Sequence, residues 1–166
     1  MANVLFNERA DKVRRQVLSP TGFWLYLWKE LPLAAFAGLR LRSLDEGGCT
    51  VILRGGWRTQ NPFRSTYFAA QAMAAEMSTG APAMVLVRGN EAQVSMLVTR
   101  VSGRFTKKIS GASQFTFRDI GEMAETIERA ALTGEPATFV ARSVGKNAAG
   151  DVASEFEVEW SFKRRD

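Results

Sequence analysis

The chain has 166 residues, a formal net charge of +5 and an isoelectric point near 9.8, which suits one domain able to bury a core. Hydrophobic residues make up 46% and charged ones 23%, with eleven Phe and four Trp; this excludes a disordered chain and favours anionic partners without choosing among nucleotides, nucleic acid and lipid headgroups. The sequence has no histidine, which excludes any mechanism needing an imidazole, and the single Cys49 excludes an intramolecular disulfide, fits a reducing cytoplasm and leaves no zinc site or other cofactor to expect.

Residues 7 to 18 place Ala10, Val13 and Val17 at helical spacing among charges and predict a first helix, broken by Ser19-Pro20-Thr21-Gly22. The charges over residues 1 to 15 are not those of a secretory signal. A second helix is expected over 22 to 29 and one more turn over 33 to 37. The apolar run Phe23 to Leu39 is interrupted by Lys29, Glu30 and Pro32, so it does not read as a bilayer span. Trp24, Tyr26 and Trp28 are residue types of membrane interfaces. Packing on a sheet or closing a ligand pocket is nevertheless their expected use, and contact with a membrane surface is not.

Period-two alternation in Gly38 to Leu44 and Cys49 to Leu53, across Asp45-Glu46-Gly47-Gly48, predicts a hairpin. The stretch NPFRSTYFAAQAMAAEMSTG, residues 61 to 80, follows. Asn61-Pro62 opens a turn, Ser65 is the expected N-cap, and the Ala- and Met-rich block consists of strong helix formers. Gly80 and Pro82 supply a stop, giving a helix over 66 to 79. Ala83 to Arg88 then reads as a short strand and Gln93 to Ser102 as a longer one, followed by a basic loop with Arg104, Lys107 and Lys108 and a strand over 113 to 117. Residues 118 to 132 carry Ile120, Met123, Ile127 and Ala131 at helical spacing, and residues 138 to 144 and 152 to 163 form a terminal hairpin. Helices, a hairpin, one apolar helix and then a run of antiparallel strands make an α+β fold, a central helix covered by a curved antiparallel sheet with extra N-terminal helices.

At ~100° per residue, Phe68, Ala69, Ala72, Glu76 and Thr79 share one side of the central helix, and Tyr67, Gln71, Ala74 and Ser78 the other. Glu76 has no Lys or Arg at i±3 or i±4, where a surface ion pair would form. It is either a solvated surface carboxylate, the commoner case for an isolated Glu, or a buried one with a task.

This order of elements, with an Ala-rich helix after two strands, resembles the hotdog fold of acyl-CoA thioesterases and dehydratases. Many thioesterases of the phenylacetyl-CoA type carry an Asn, a Gly three residues on, His-Gly-Gly, and an Asp or Glu nine residues after the His. Here Asn61 stands first, Arg64 occupies the Gly position, Tyr67-Phe68-Ala69 replaces His-Gly-Gly, and Glu76 falls at the acid. The string as a whole is similar to an uncharacterised branch of hotdog proteins, with Leu31-Pro32, Gly38 and Phe105-Thr106-Lys107-Lys108 fitting the same pattern. The resemblance covers about residues 30 to 163, dividing the chain into an N-terminal helical extension, 1 to 30, and a hotdog domain, 31 to 166.

The resemblance implies a homodimer pairing its sheets edge to edge, with a tetramer left open, and an acyl-CoA or other acyl thioester as ligand. Thioester hydrolysis would use Glu76 as general base or nucleophile and Asn61 to orient water or the carbonyl. Arg64, Ser65, Thr66, Tyr67, Phe68 and Ala69 would shape the substrate site around the helix start, whose N–H groups can stabilise an oxyanion. Lys107 and Lys108, with Arg104, Arg58 and Arg64, are candidates for the coenzyme phosphates or else solvated turn charges. A non-catalytic binder of acyl chains or acyl-CoA is the alternative. Nucleic acid is not expected, since the chain has no dense basic tract or ribonucleoprotein signature.

Overall fold

A computed structural model describes residues 5–165. Asn7 opens α1 (Glu8–Leu18) by accepting the Ala10 N–H at 2.9 Å. Ser19 closes α1 and caps α2 (Pro20–Glu30), whose first position is the proline that cannot continue α1. A short helix of six residues, α3 (Pro32–Ala37), ends at Gly38 with φ +76°, the left-handed conformation that glycine adopts without strain. The hairpin β1 (Leu39–Asp45) and β2 (Gly48–Leu53) then leads to the long helix α4 (Phe68–Gly89). β3 (Val94–Phe105), β4 (Ser113–Phe117), α5 (Ile120–Thr133), β5 (Ala137–Asn147) and β6 (Val152–Arg164) complete the chain.

The six strands form one antiparallel sheet in the order β1-β2-β4-β5-β6-β3. It curves round α4, and bulges in β1, β3 and β6 add local bend. Alternation sends Phe115, Phe117, Val158, Trp160 and Phe162 inward against α4, where all are buried. Ile120, Met123 and Ile127 of α5 join the same core. α1 lies on the end of α4 so tightly that a Cβ on Gly89 would come within 2.5 Å of the Ala10 Cβ. Among the described residues no helix is long and apolar enough to cross a membrane.

The expected α+β arrangement is therefore present, with a correction at its centre. The central helix runs from Phe68 to Gly89 rather than over 66 to 79, and residues 83 to 88 are helix, not strand. Gly80 and Pro82 do not stop it. An interior proline costs a helix ~3 kcal/mol, but Ala81, Pro82, Ala83, Val85 and Leu86 are all buried, and a buried Val or Leu returns ~1.5–3 kcal/mol each. Packing under the sheet outweighs the lost hydrogen bond. The helix ends instead at Asn90, whose N–H reaches Leu86 O and Val87 O.

Candidate functional site

The loop before α4 is built around Asn61. Its Oδ1 accepts from Phe63 N (3.0 Å), Ser65 N (3.2 Å) and Ser65 Oγ (3.2 Å), and its N–H donates to Ser65 O (2.8 Å). Arg64 completes the turn with φ +56°. Two backbone bonds anchor the exit: Thr66 N–H to Ile109 O at 2.8 Å and Tyr67 N–H to Thr59 O at 2.7 Å. Ser65 is thus spent on Asn61 and is not the helix cap; the cap is Tyr67, which offers no side-chain acceptor. The N–H groups of Ala70 and Gln71 turn back to Tyr67 O, whereas those of Phe68 and Ala69 have no acceptor among the described residues.

A cavity of about 460 Å³ opens at this helix start. Asn61, Ser65, Thr66, Tyr67 and Phe68 line one part of it, and Lys107 and Lys108, in the segment after β3, line another. Seven residues separated by up to 47 positions are so brought together. Arg64 is exposed and Ala69 half-buried, and neither lines this cavity. Arg104 lies in a different recess, on β3 beside Arg142, Glu155 and Glu157. Lys107 Nζ sits 3.3 Å from Asp151 Oδ2, so its charge is partly matched within the chain. Tyr67 and Phe68 stack edge to face at 4.7 Å, and Phe68 stays 56% exposed.

Glu76 lies two turns further along α4, about 12 Å from Phe68 at 1.5 Å per residue. Ala69, Ala72, Met73, Glu76 and Gly80 form a half-buried stripe, while Ala70, Ala74, Ala75, Met77 and Ser78 are buried. This stripe is the side of the helix that the sheet leaves partly open. Burial pushes the Glu76 carboxyl above its ordinary pKa, because the charged form loses hydration, and no cation pairs with it among the described residues. Its Oε1 occupies the space over Gly80, where an added Cβ would come within 2.9 Å of it and 3.1 Å of the Trp160 ring. Gly80 is therefore a close-approach residue. The Trp160 indole in turn donates to Thr79 Oγ1 at 2.9 Å, which fixes the ring beside the acid.

Gln71 is a cavity residue that sequence reasoning assigned no role. Its Nε2 donates to Thr66 O at 3.1 Å and its Oε1 is buried without a partner. The signal was present: Gln71 is the one amide side chain within the Ala-rich block. Cys49 is fully buried, and burial with the nearby Asp45 charge pushes its thiol far above the ordinary range, so it is no nucleophile at neutral pH.

Neither a protein-family model nor a curated protein matches the chain. Solved structures do. One is a protein of unknown function from Pseudomonas aeruginosa described as a probable thioesterase, with TM-score 0.71 and 20% identity over 88% of this chain and 97% of that one. Another, of unknown function from Chlorobaculum tepidum, gives TM-score 0.74 and 15% identity over 89% and 98%. A thioesterase from Haemophilus influenzae gives TM-score 0.63 and 11% identity over 84% and 88%.

The chain has the hotdog fold. Within this hotdog, Arg64, which the resemblance aligns with a glycine, has a left-handed backbone. Tyr67-Phe68-Ala69 stands at the start of the hotdog helix, and Glu76 on its open side.

Proposed function

We propose that the protein handles acyl thioesters as a thioesterase-like hydrolase, with an acyl-CoA as substrate and a homodimer as the working unit. The observation that carries this reading is Glu76, a half-buried acid that among the described residues has no cation, on the open stripe of a helix whose first two N–H groups have no acceptor among those residues. A general base works best with a pKa near the working pH, and burial moves Glu76 that way. Free N–H groups at a helix start stabilise the oxyanion of a tetrahedral intermediate. Lys107 and Lys108 beside the same cavity suit the phosphates of the thiol carrier.

Within one protomer the acid and the helix start are about 12 Å apart, too far to act on one carbonyl, since reacting groups must approach to ~3 Å. Two α4 helices meeting antiparallel along their small-residue stripes bring each Glu76 to the other's N-terminus. The dimer supplies the missing proximity. In this reading β3 pairs with β3 of the partner, as it is an edge strand of 12 residues with exposed Leu97, Val101 and Phe105 and so presents unpaired backbone groups for addition. Asn61 holds the entrance loop and leaves its Nδ2 for a bound water or carbonyl.

The alternative reading, a non-catalytic acyl-CoA binder, is favoured by the Tyr67-Phe68 pair. Its two rings stand at the helix start, Tyr67 at the motif's His and Phe68 at its first Gly, and they narrow the approach to the free N–H groups. Thiol release from acyl-CoAs of short, long and aromatic chains, with Glu76→Gln in parallel, separates the two. Hydrolysis predicts turnover that falls at least ~100-fold in the variant, the scale of a lost acid–base group. Saturable binding without turnover establishes the binder instead.

A further inference from the structure

A second cavity, of about 620 Å³, lies among α1, α2, α3, the start of β1 and the loop after β2. It shares no lining residue with the cavity at the start of α4. Buried Val17, Phe23, Leu27 and Leu39 give it an apolar floor. Trp24 and Trp28, one turn apart on α2, form a wall; their rings meet at 6.3 Å, and they remain 58% and 46% exposed. Such large apolar surface left open beside an apolar recess marks a place where something binds.

The charged part of the lining is all of one sign. Arg40, Arg54 and Arg58 line the cavity, and no Asp or Glu does. None of the three has a carboxylate within 4.0 Å among the described residues. Arg58 is held instead by aromatic faces, 5.7 Å from the Phe36 ring and 5.8 Å from that of Trp57, an arrangement that fixes the guanidinium and leaves its charge unmatched. All three are exposed, so water screens their mutual repulsion, and what an anion placed among them gains is charge-assisted hydrogen bonding to the guanidinium groups. The volume is that of a small-molecule site.

We propose that this cavity binds a free amphipathic carboxylate, its apolar chain on the Val17–Phe23–Leu27–Leu39 floor between Trp24 and Trp28 and its carboxylate among Arg40, Arg54 and Arg58. An apolar floor gives a chain somewhere to lie, and a purely inorganic anion would leave that floor wet. The site is independent of the reading of Glu76 and stands or falls separately from it.

The test uses the full chain labelled with ¹⁵N, following the four Trp indole N–H signals during titration with dodecanoate below its micelle-forming concentration. Trp24 and Trp28 report on this cavity, and Trp160, beside Glu76, reports on the α4 site. Saturable shifts of the Trp24 and Trp28 signals are expected, with affinity reduced at least about tenfold in the double variant R40E/R54E, the scale of one lost charge-assisted bond. Dodecyltrimethylammonium, the same chain with the opposite charge, should leave those signals in place. Equal response to both amphiphiles, movement of Trp160 alone, or no response overturns the proposal. So does a protein that ignores free dodecanoate and sediments with phosphatidylglycerol vesicles, which would make this face a lipid-surface contact.

Discussion

Glu76 loses hydration when the chain folds and gains no cation in return among the described residues, so its folded-state pKa lies above its unfolded one. The folded state then binds the proton more readily than the unfolded state. Stability from this group is fully present below the ordinary carboxylate range and is lost as pH rises through the raised value. Glu76→Gln is therefore expected to melt at a higher temperature than the parent at about pH 7.5, with the difference closing near pH 4, as read by thermal denaturation across that range. Arg64 makes a second case. Its φ of +56° costs a residue with a Cβ ~1–2 kcal/mol, part of which a glycine gives back in unfolded-chain entropy. Arg64→Gly should stabilise the fold by up to about 1 kcal/mol in urea denaturation, and a loss of stability would mean that the Arg64 side chain makes a compensating contact.

Among the elements, α4 governs the rest because every neighbour packs on it. Its junction with α1 is tight: Asn7 Nδ2 donates to Gly89 O at 2.9 Å, and a Cβ on Gly89 would lie 2.5 Å from Ala10 Cβ and 2.9 Å from Ala10 Cα. Both obstacles belong to a helix rather than to a flexible side-chain end, so α1 must move. Gly89→Ala is expected to destabilise by ~1–3 kcal/mol, the cost of overpacking, despite the better helix propensity of Ala. Hydrogen exchange should show the loss first in α1, and uniform protection with unchanged stability would sink the prediction.

For the whole molecule, the decisive feature is the β3 edge of the sheet. Among the described strands β3 is bound only to β6, and it carries exposed Leu97, Val101 and Phe105. In the proposed dimer two such edges pair, and charges on them oppose pairing. Leu97→Lys combined with Val101→Lys should shift the protein toward monomer in light scattering, and thiol release should fall with it, since each site borrows the partner's Glu76. Full activity in a monomeric variant would show that one chain suffices.

The sequence by itself determined most of the elements, because their signals are local. Ser19-Pro20 divides α1 from α2, the Gly-rich turn after Asp45 makes a hairpin, and alternation marks β4, β5 and β6. It also placed the loop and helix start that hold Asn61, Ser65, Thr66, Tyr67 and Phe68, since these are near neighbours in the chain, and the missing cation beside Glu76 was visible at i±3 and i±4. Tertiary structure alone decided where α4 ends. Gly80 and Pro82 are local breakers, but the buried faces of Val85 and Leu86 come from a sheet formed by residues far along the chain. Gly80 owes its place to Trp160, eighty positions later, rather than to any cap. The same holds for the three arginines at the N-terminal cavity. Arg40, Arg54 and Arg58 are scattered charges in sequence, and the packing of α2 on α3 and of α3 on β1 makes them the lining of one recess. Spacing reveals what a few residues can form among themselves, whereas burial, close approach and a shared cavity depend on which distant surfaces meet.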